Sequence, residues 1–219
     1  MNNSIEKTVA QIISIGFHPL LLPTFSAMLI CFAVPHYFAH LSPSQERLSV
    51  IVIFIFTFLF PMFAIFLMKR LELISSFEMQ DGKERIFPII AIGSFYIWMY
   101  FYFKPSYRFP MANPLFANML MGAILAIFFS FIINLFKKIS LHAIGMGSLV
   151  AVLFSLLGIS VYDLRFLLIV LIVLAGIVGT ARLILKAHEQ DEIWIGYLVG
   201  FLSQYASFIV IPSVINLLK

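Results

Sequence analysis

Arg182, His188 and Glu192 are the residues whose types and spacing most directly suggest chemistry. They stand in the run Ala181-Arg-Leu-Ile-Leu-Lys-Ala-His188-Glu-Gln-Asp-Glu192. With a helix beginning near His188, His188 and Glu192 fall one turn apart on a single face. A carboxylate there accepts a hydrogen bond from one imidazole nitrogen, which fixes the tautomer and leaves the other nitrogen as a nucleophile. Arg182, near the end of the preceding apolar segment, offers a planar fork suited to phosphate oxygens. The plainer alternative is a charged juxtamembrane loop, because exposed charges are commonly only solvated.

A second cluster is Lys138-Ile-Ser-Leu-His142-Ala-Ile-Gly-Met-Gly147. Ser140 and His142 open a helix here, and backbone N–H groups at a helix start favour an anion. Ser140 can donate to a phosphate oxygen, and a protonated His142 can pass its proton to a leaving alkoxide. Gly145 and Gly147 suit close helix packing. The plainer alternative makes Ser140 a helix cap and His142 an interfacial polar residue. A third polar run holds Glu78, Asp81, Lys83, Glu84 and Arg85.

These residues need elements to hold them. The 219 residues are 62% hydrophobic and 11% charged, against roughly 25% charged in soluble domains. A soluble globule of this length exposes too much surface to hide so much apolar area. The continuous apolar runs also argue against a membrane β-barrel. The expected fold is all-α, a polytopic transmembrane helical bundle over 1–219 with six to seven transmembrane helices. The apolar segments are 19–35, 48–68, 86–103, 114–136, 141–162, 166–185 and 193–218. Residues 1–17 do not read as a standard signal peptide, so the chain is expected to be mature from Met1. Crossings alternate sides, so the loops before the third, fifth and seventh segments open on one face, and the three polar clusters are expected to converge there. The net charge of +4 rests on only 14 Lys and Arg, which is no footprint of nucleic-acid binding. Cys31 is the single cysteine, which excludes an internal disulfide.

The clusters resemble the motifs of the type 2 phosphatidic acid phosphatase superfamily, the fold shared with vanadium haloperoxidases. That family carries Lys-x6-Arg-Pro, Pro-Ser-Gly-His and Ser-Arg-x5-His-x3-Asp. Arg182 and His188 match the third at the right spacing, with Ala181 for its serine and Glu192 for its aspartate. Ile193-Trp-Ile-Gly196-Tyr-Leu-Val-Gly200 looks like its usual continuation. Ser140 and His142 match the second, with Ile139 and Leu141 for proline and glycine. The first is altered: Glu78 stands seven residues before Arg85, proline comes late at Pro88, and Lys83 and Arg85 would do its work from a different spacing. The resemblance spans 81–200. It implies a metal-free, cofactor-free phosphatase with His188 as nucleophile, Glu192 orienting it and His142 as acid. Arg182, Ser140, Lys83 and Arg85 would hold the phosphoryl oxygens. The implied substrate is an anionic lipid phosphate, such as a phosphomonoester or a pyrophosphate of an amphiphile.

Competing readings are a catalytically weak member of the family, a lipid or small-molecule transporter using His142, His188 and Glu192 as a proton path, and a purely structural subunit. The expected location is a bacterial inner membrane. Lys69, Arg70, Lys137 and Lys138 enrich the motif-bearing face in cations, which by the positive-inside rule points to the cytoplasm. The resemblance implies the outer side, and the expectation leans that way.

Overall fold

The helical rod that starts at Pro43 opens on a cap written plainly in the sequence. Ser42 Oγ accepts from Gln45 N at 3.3 Å, and Gln45 Oε1 accepts from Ser42 N at 2.8 Å. Pro43 supplies the first helical position, where its missing N–H costs nothing. Asn113 does the same before Pro114, its Oδ1 accepting from Leu115 N at 2.9 Å and Phe116 N at 3.4 Å. The computed structural model describes residues 2–75, 86–104 and 111–210.

Among these residues the architecture is all-helical, with no strand. The helices are α1 (Asn2–Gly16), α2 (Leu22–Ala33), α3 (Pro43–Phe54), α4 (Phe60–Arg70), α5 (Ile86–Phe103), α6 (Pro114–Asn134), α7 (Leu141–Leu156), α8 (Arg165–Ile184) and α9 (Gln190–Tyr205). A π-turn over Ile55–Leu59 joins α3 and α4 into one rod, Pro43–Arg70. Pro61 has no N–H to give the carbonyl of Thr57, four residues back. The Tyr96 hydroxyl of α5 donates to that buried carbonyl at 3.4 Å instead.

Among the described residues, four helices are long and apolar enough to cross a membrane: Pro43–Arg70, Ile86–Phe103, Pro114–Asn134 and Arg165–Ile184. Their outer faces expose Phe63, Trp98, Phe128 and Ile172, a surface compatible with lipid. The helices at 22–33 and 141–156 are shorter. Twelve residues rise only about 18 Å, short of a hydrocarbon core of about 30 Å. The apolar stretch 19–35 is thus less helical than its composition predicts. Pro19 and Pro35 bracket it, and the chain turns at both ends. The N-terminal segment is itself a helix, α1, packed along α8.

α7 lies at the centre. It buries Ala143, Met146, Leu149, Val152, Leu153 and Leu156 around its circumference, as a helix apolar on all sides must. It packs on α2, α8 and above all α9. Glycines set that last approach. A Cβ at Gly200 would overlap the Ile144 carbonyl, and one at Gly147 would overlap the Tyr197 carbonyl. A Cβ at Gly196 would come within 2.9 Å of the Ser140 oxygen. Three absent side chains let the two backbones touch, so the starts of α7 and α9 lie side by side.

Candidate phosphoryl site at the helix ends

α8 and α9 meet in a reversal whose length accounts for the Arg-x5-His-x3-Glu spacing. α8 closes with a Schellman motif: Ala187 N donates to Arg182 O at 3.1 Å and Lys186 N to Leu183 O at 2.9 Å. Lys186 takes the left-handed position, φ 52°. α9 then opens on a capping box between Glu189 and Glu192. Helix stop followed directly by helix start brings Arg182 and His188 to the same end of the bundle.

His188 Nδ1 is 2.7 Å from Glu192 Oε2, and the two side chains are only 5% and 10% exposed. The carboxylate accepts, so Nδ1 carries the hydrogen and Nε2 keeps the lone pair. The same Oε2 also accepts from Glu189 N at 3.3 Å. Glu192 therefore serves at once as helix cap and as partner of the imidazole.

Ser140 is the N-cap of α7, its Oγ accepting from Ala143 N at 3.3 Å. It is fully buried, and its backbone N–H donates to the Glu192 carbonyl at 3.4 Å. The two clusters are thus joined at the backbone. His142 Nε2 lies 3.1 Å from the Ser14 carbonyl. A carbonyl can only accept, so Nε2 carries hydrogen and Nδ1 is the nitrogen left to exchange a proton. Arg182 Nη1 donates to Ser14 Oγ at 3.3 Å. The His18 ring packs edge-on against His142 with centroids 5.9 Å apart. Arg182 and His188 both lie close enough to act electrostatically on His142.

Sequence reasoning did not assign Ser14 or His18 to the site. The signal was the helical spacing of Ile5, Val9 and Ile12, which marks α1 although no long apolar run does. His18 sits in the turn between α1 and α2, where burial and then the Arg182 charge hold its imidazole below the ordinary pKa. Its Nδ1 accepts from Leu20 N at 3.3 Å. Lys83 and Arg85 fall outside the described residues, as do Glu78, Asp81 and Glu84. Just before those residues in the sequence, Ile74 packs with Leu20 and Ile65, beside the α1–α2 turn. Lys137 pairs with Asp191 at the rim. That exposed partner draws the Lys137 ammonium up in pKa and the Asp191 carboxyl down.

An apolar cavity of about 90 Å³ runs from this end into the bundle, walled by Pro19, Leu20, Ile89, Tyr96, Leu141 and Ile144. Pro19 and Leu141 are the chain neighbours of His18 and His142. Among the described residues, no three of His, Cys, Asp and Glu gather as a metal site. No protein-family model, no curated protein and no solved structure matches this chain.

Proposed function

We propose that the chain is an integral membrane phosphatase of the type 2 phosphatidic acid phosphatase kind, hydrolysing a phosphomonoester or pyrophosphate of an amphiphilic lipid. The observation that carries this reading is the buried His188–Glu192 pair, with Arg182 and His142 at the same helix ends. His188 Nε2 attacks phosphorus with its lone pair and forms a P–N bond as the P–O bond to the leaving group breaks. Glu192 offsets the positive charge that develops on the imidazole. His142 Nδ1, bare at rest, takes the proton that a phosphomonoester monoanion brings and passes it to the leaving oxygen. Water then attacks the phosphohistidine, His142 takes back a proton, and phosphate leaves with the P–N bond broken. Arg182 and the start of α7 at Ser140 hold the phosphoryl oxygens, the main requirement of phosphoryl transfer.

The apolar cavity beside His18 and His142 supports an amphiphile, whose phosphate sits at headgroup level while hydrocarbon enters between the helices. The setting proposed is a bacterial inner membrane with the site on its outer side. A second reading has its own support. Ser140 and Glu192 both cap helices, and a cluster built for capping alone would be a catalytically weak relative. Phosphate release from a panel of lipid phosphates, with and without orthovanadate and with chelator present, separates the two. A phosphatase releases phosphate in chelator, is blocked by orthovanadate and falls silent as His188→Ala while still folding. Release unchanged in His188→Ala removes the phosphohistidine reading.

A further inference from the structure

Ser14 lies near the end of α1, where the chain turns before Pro19. The last carbonyls of a helix have no intrahelical donor. Here Phe17 N takes the Ile13 carbonyl at 3.0 Å and His18 N takes that of Ile15 at 3.2 Å. The Ser14 carbonyl between them is left for His142 Nε2 at 3.1 Å. The Ser14 hydroxyl meets Arg182 Nη1 at 3.3 Å. One residue, 6% exposed, thus meets two site residues by two different atoms. Its partners stand 128 and 168 positions away along the chain.

A packing role alone does not require this. Ala10, one turn earlier on the same helix, is equally buried and faces the bundle with a methyl group. An alanine at position 14 would fill the contact with α8 as well. What serine adds is an acceptor for the guanidinium that the proposed reaction uses on the phosphate.

We propose that α1 is a positioning element of the site, acting through Ser14. Its hydroxyl sets the guanidinium of Arg182 for a tetrahedral oxyanion, and its carbonyl fixes the Nε2–H tautomer of His142. This rests on the phosphoryl reading of the site for the identity of the anion. The hydroxyl anchors the guanidinium through Nη1. The carbonyl assigns the proton that His142 exchanges to Nδ1.

The test uses the full chain purified in detergent and two readouts. Orthovanadate affinity is measured for the wild type, Ser14→Ala, Ser14→Thr and Arg182→Ala. Loss of a hydrogen bond to a charged group predicts orthovanadate binding about tenfold weaker in Ser14→Ala. KM should rise by a similar factor while kcat changes little. Ser14→Thr, which keeps the hydroxyl, should restore both. Nitrogen NMR of histidine-labelled protein gives the second readout, with the His142 signal identified by its loss in His142→Gln. The expected state is Nε2–H with a bare Nδ1. Orthovanadate binding equal in Ser14→Ala and wild type, alongside loss in Arg182→Ala, overturns the positioning role and leaves the phosphoryl reading standing. The opposite His142 tautomer overturns the carbonyl's part. A wild type that binds no orthovanadate overturns the phosphoryl reading, and the positioning role falls with it.

Discussion

Two helix pairs deliver the site, and they are built in opposite ways. α7 and α9 bring Ser140, His142, His188 and Glu192, and they touch backbone to backbone at Gly147, Gly196 and Gly200. α1 and α8 bring Ser14 and Arg182, and between them runs a groove of about 520 Å³ lined by Val9, Ala10, Gly176 and Ala181. The first pair has no slack, because a carbonyl cannot step aside as a side chain can. The second meets through side chains and has room. A nucleophile and its carboxylate need fixed geometry to within fractions of an ångström. A guanidinium that receives an incoming anion tolerates more movement. On the proposed phosphoryl reading, the difference in packing matches this difference in task.

The largest effect that can break the comparison is one substitution made in both pairs. Gly200→Ala puts a methyl into the Ile144 carbonyl and should cost about 3 kcal/mol, read as a lower thermal midpoint and loss of monodisperse protein. A Cβ at Gly176 meets nothing within 4 Å. Gly176→Ala should therefore gain about 0.5–1 kcal/mol from helix propensity. Equal and unfavourable shifts in both would show that the α1–α8 groove is not slack.

Glu192→Gln sharpens what the tight pair is for. Glutamine still serves the capping box, so the midpoint should hold. The carboxylate that balances His188 is lost, and phosphate release should fall about 100-fold, within the range for acid–base partners. A fall in stability with unchanged turnover would make Glu192 a cap and nothing more.

Lys186 lies at the joint between the two pairs. A residue with a Cβ at φ 52° carries a steric cost of about 1 kcal/mol that glycine avoids. Lys186→Gly should raise the midpoint accordingly, and a lowered midpoint would mean that the lysine side chain holds the reversal.

The smallest effect is one of pH. His18 is held below its ordinary pKa by burial and by Arg182, with His142 packed on its ring. The folded state binds its proton less readily than the unfolded chain. Its contribution is therefore complete above the unfolded pKa of about 6.5 and drains away as pH falls from there toward the folded value. His18→Asn should flatten the acid side of the stability profile. An unaltered profile would place the acid sensitivity elsewhere.

His188 and Glu192 were readable because four residues make one helical turn, so sequence distance equals spatial distance. Gly147 was read as a packing glycine, whereas Gly196 and Gly200 stood out only as part of the resemblance, since their partners Ser140 and Ile144 lie on another helix. Ser14 was not: its partners are more than a hundred residues away, and nothing local distinguishes it from any helix-face serine. α1 escaped because apolar runs were the guide, and its apolar residues recur at helical spacing among polar ones. The brevity of α2 was partly legible, because Pro19, Pro23 and Pro35 mark 19–35 as a short segment, and proline at both ends turns the chain. The π-turn before Pro61 needed Tyr96, from another helix, to make sense.

The bond between Ser14 and Arg182 closes a loop of 168 positions. α1 leaves the ribosome long before α9. No intermediate of synthesis can hold the complete constellation, because the imidazole–carboxylate pair is translated after nearly everything that must surround it. Closing so long a loop adds only logarithmically to its entropic cost, but it fixes the order of events. Insertion and helix docking come first, and the proposed nucleophile arrives at the end. A chain truncated after α8 would have Ser14, Arg182 and His142 yet lack the His188–Glu192 pair, so on the proposed reading activity would come with the docking of α9 rather than by degrees.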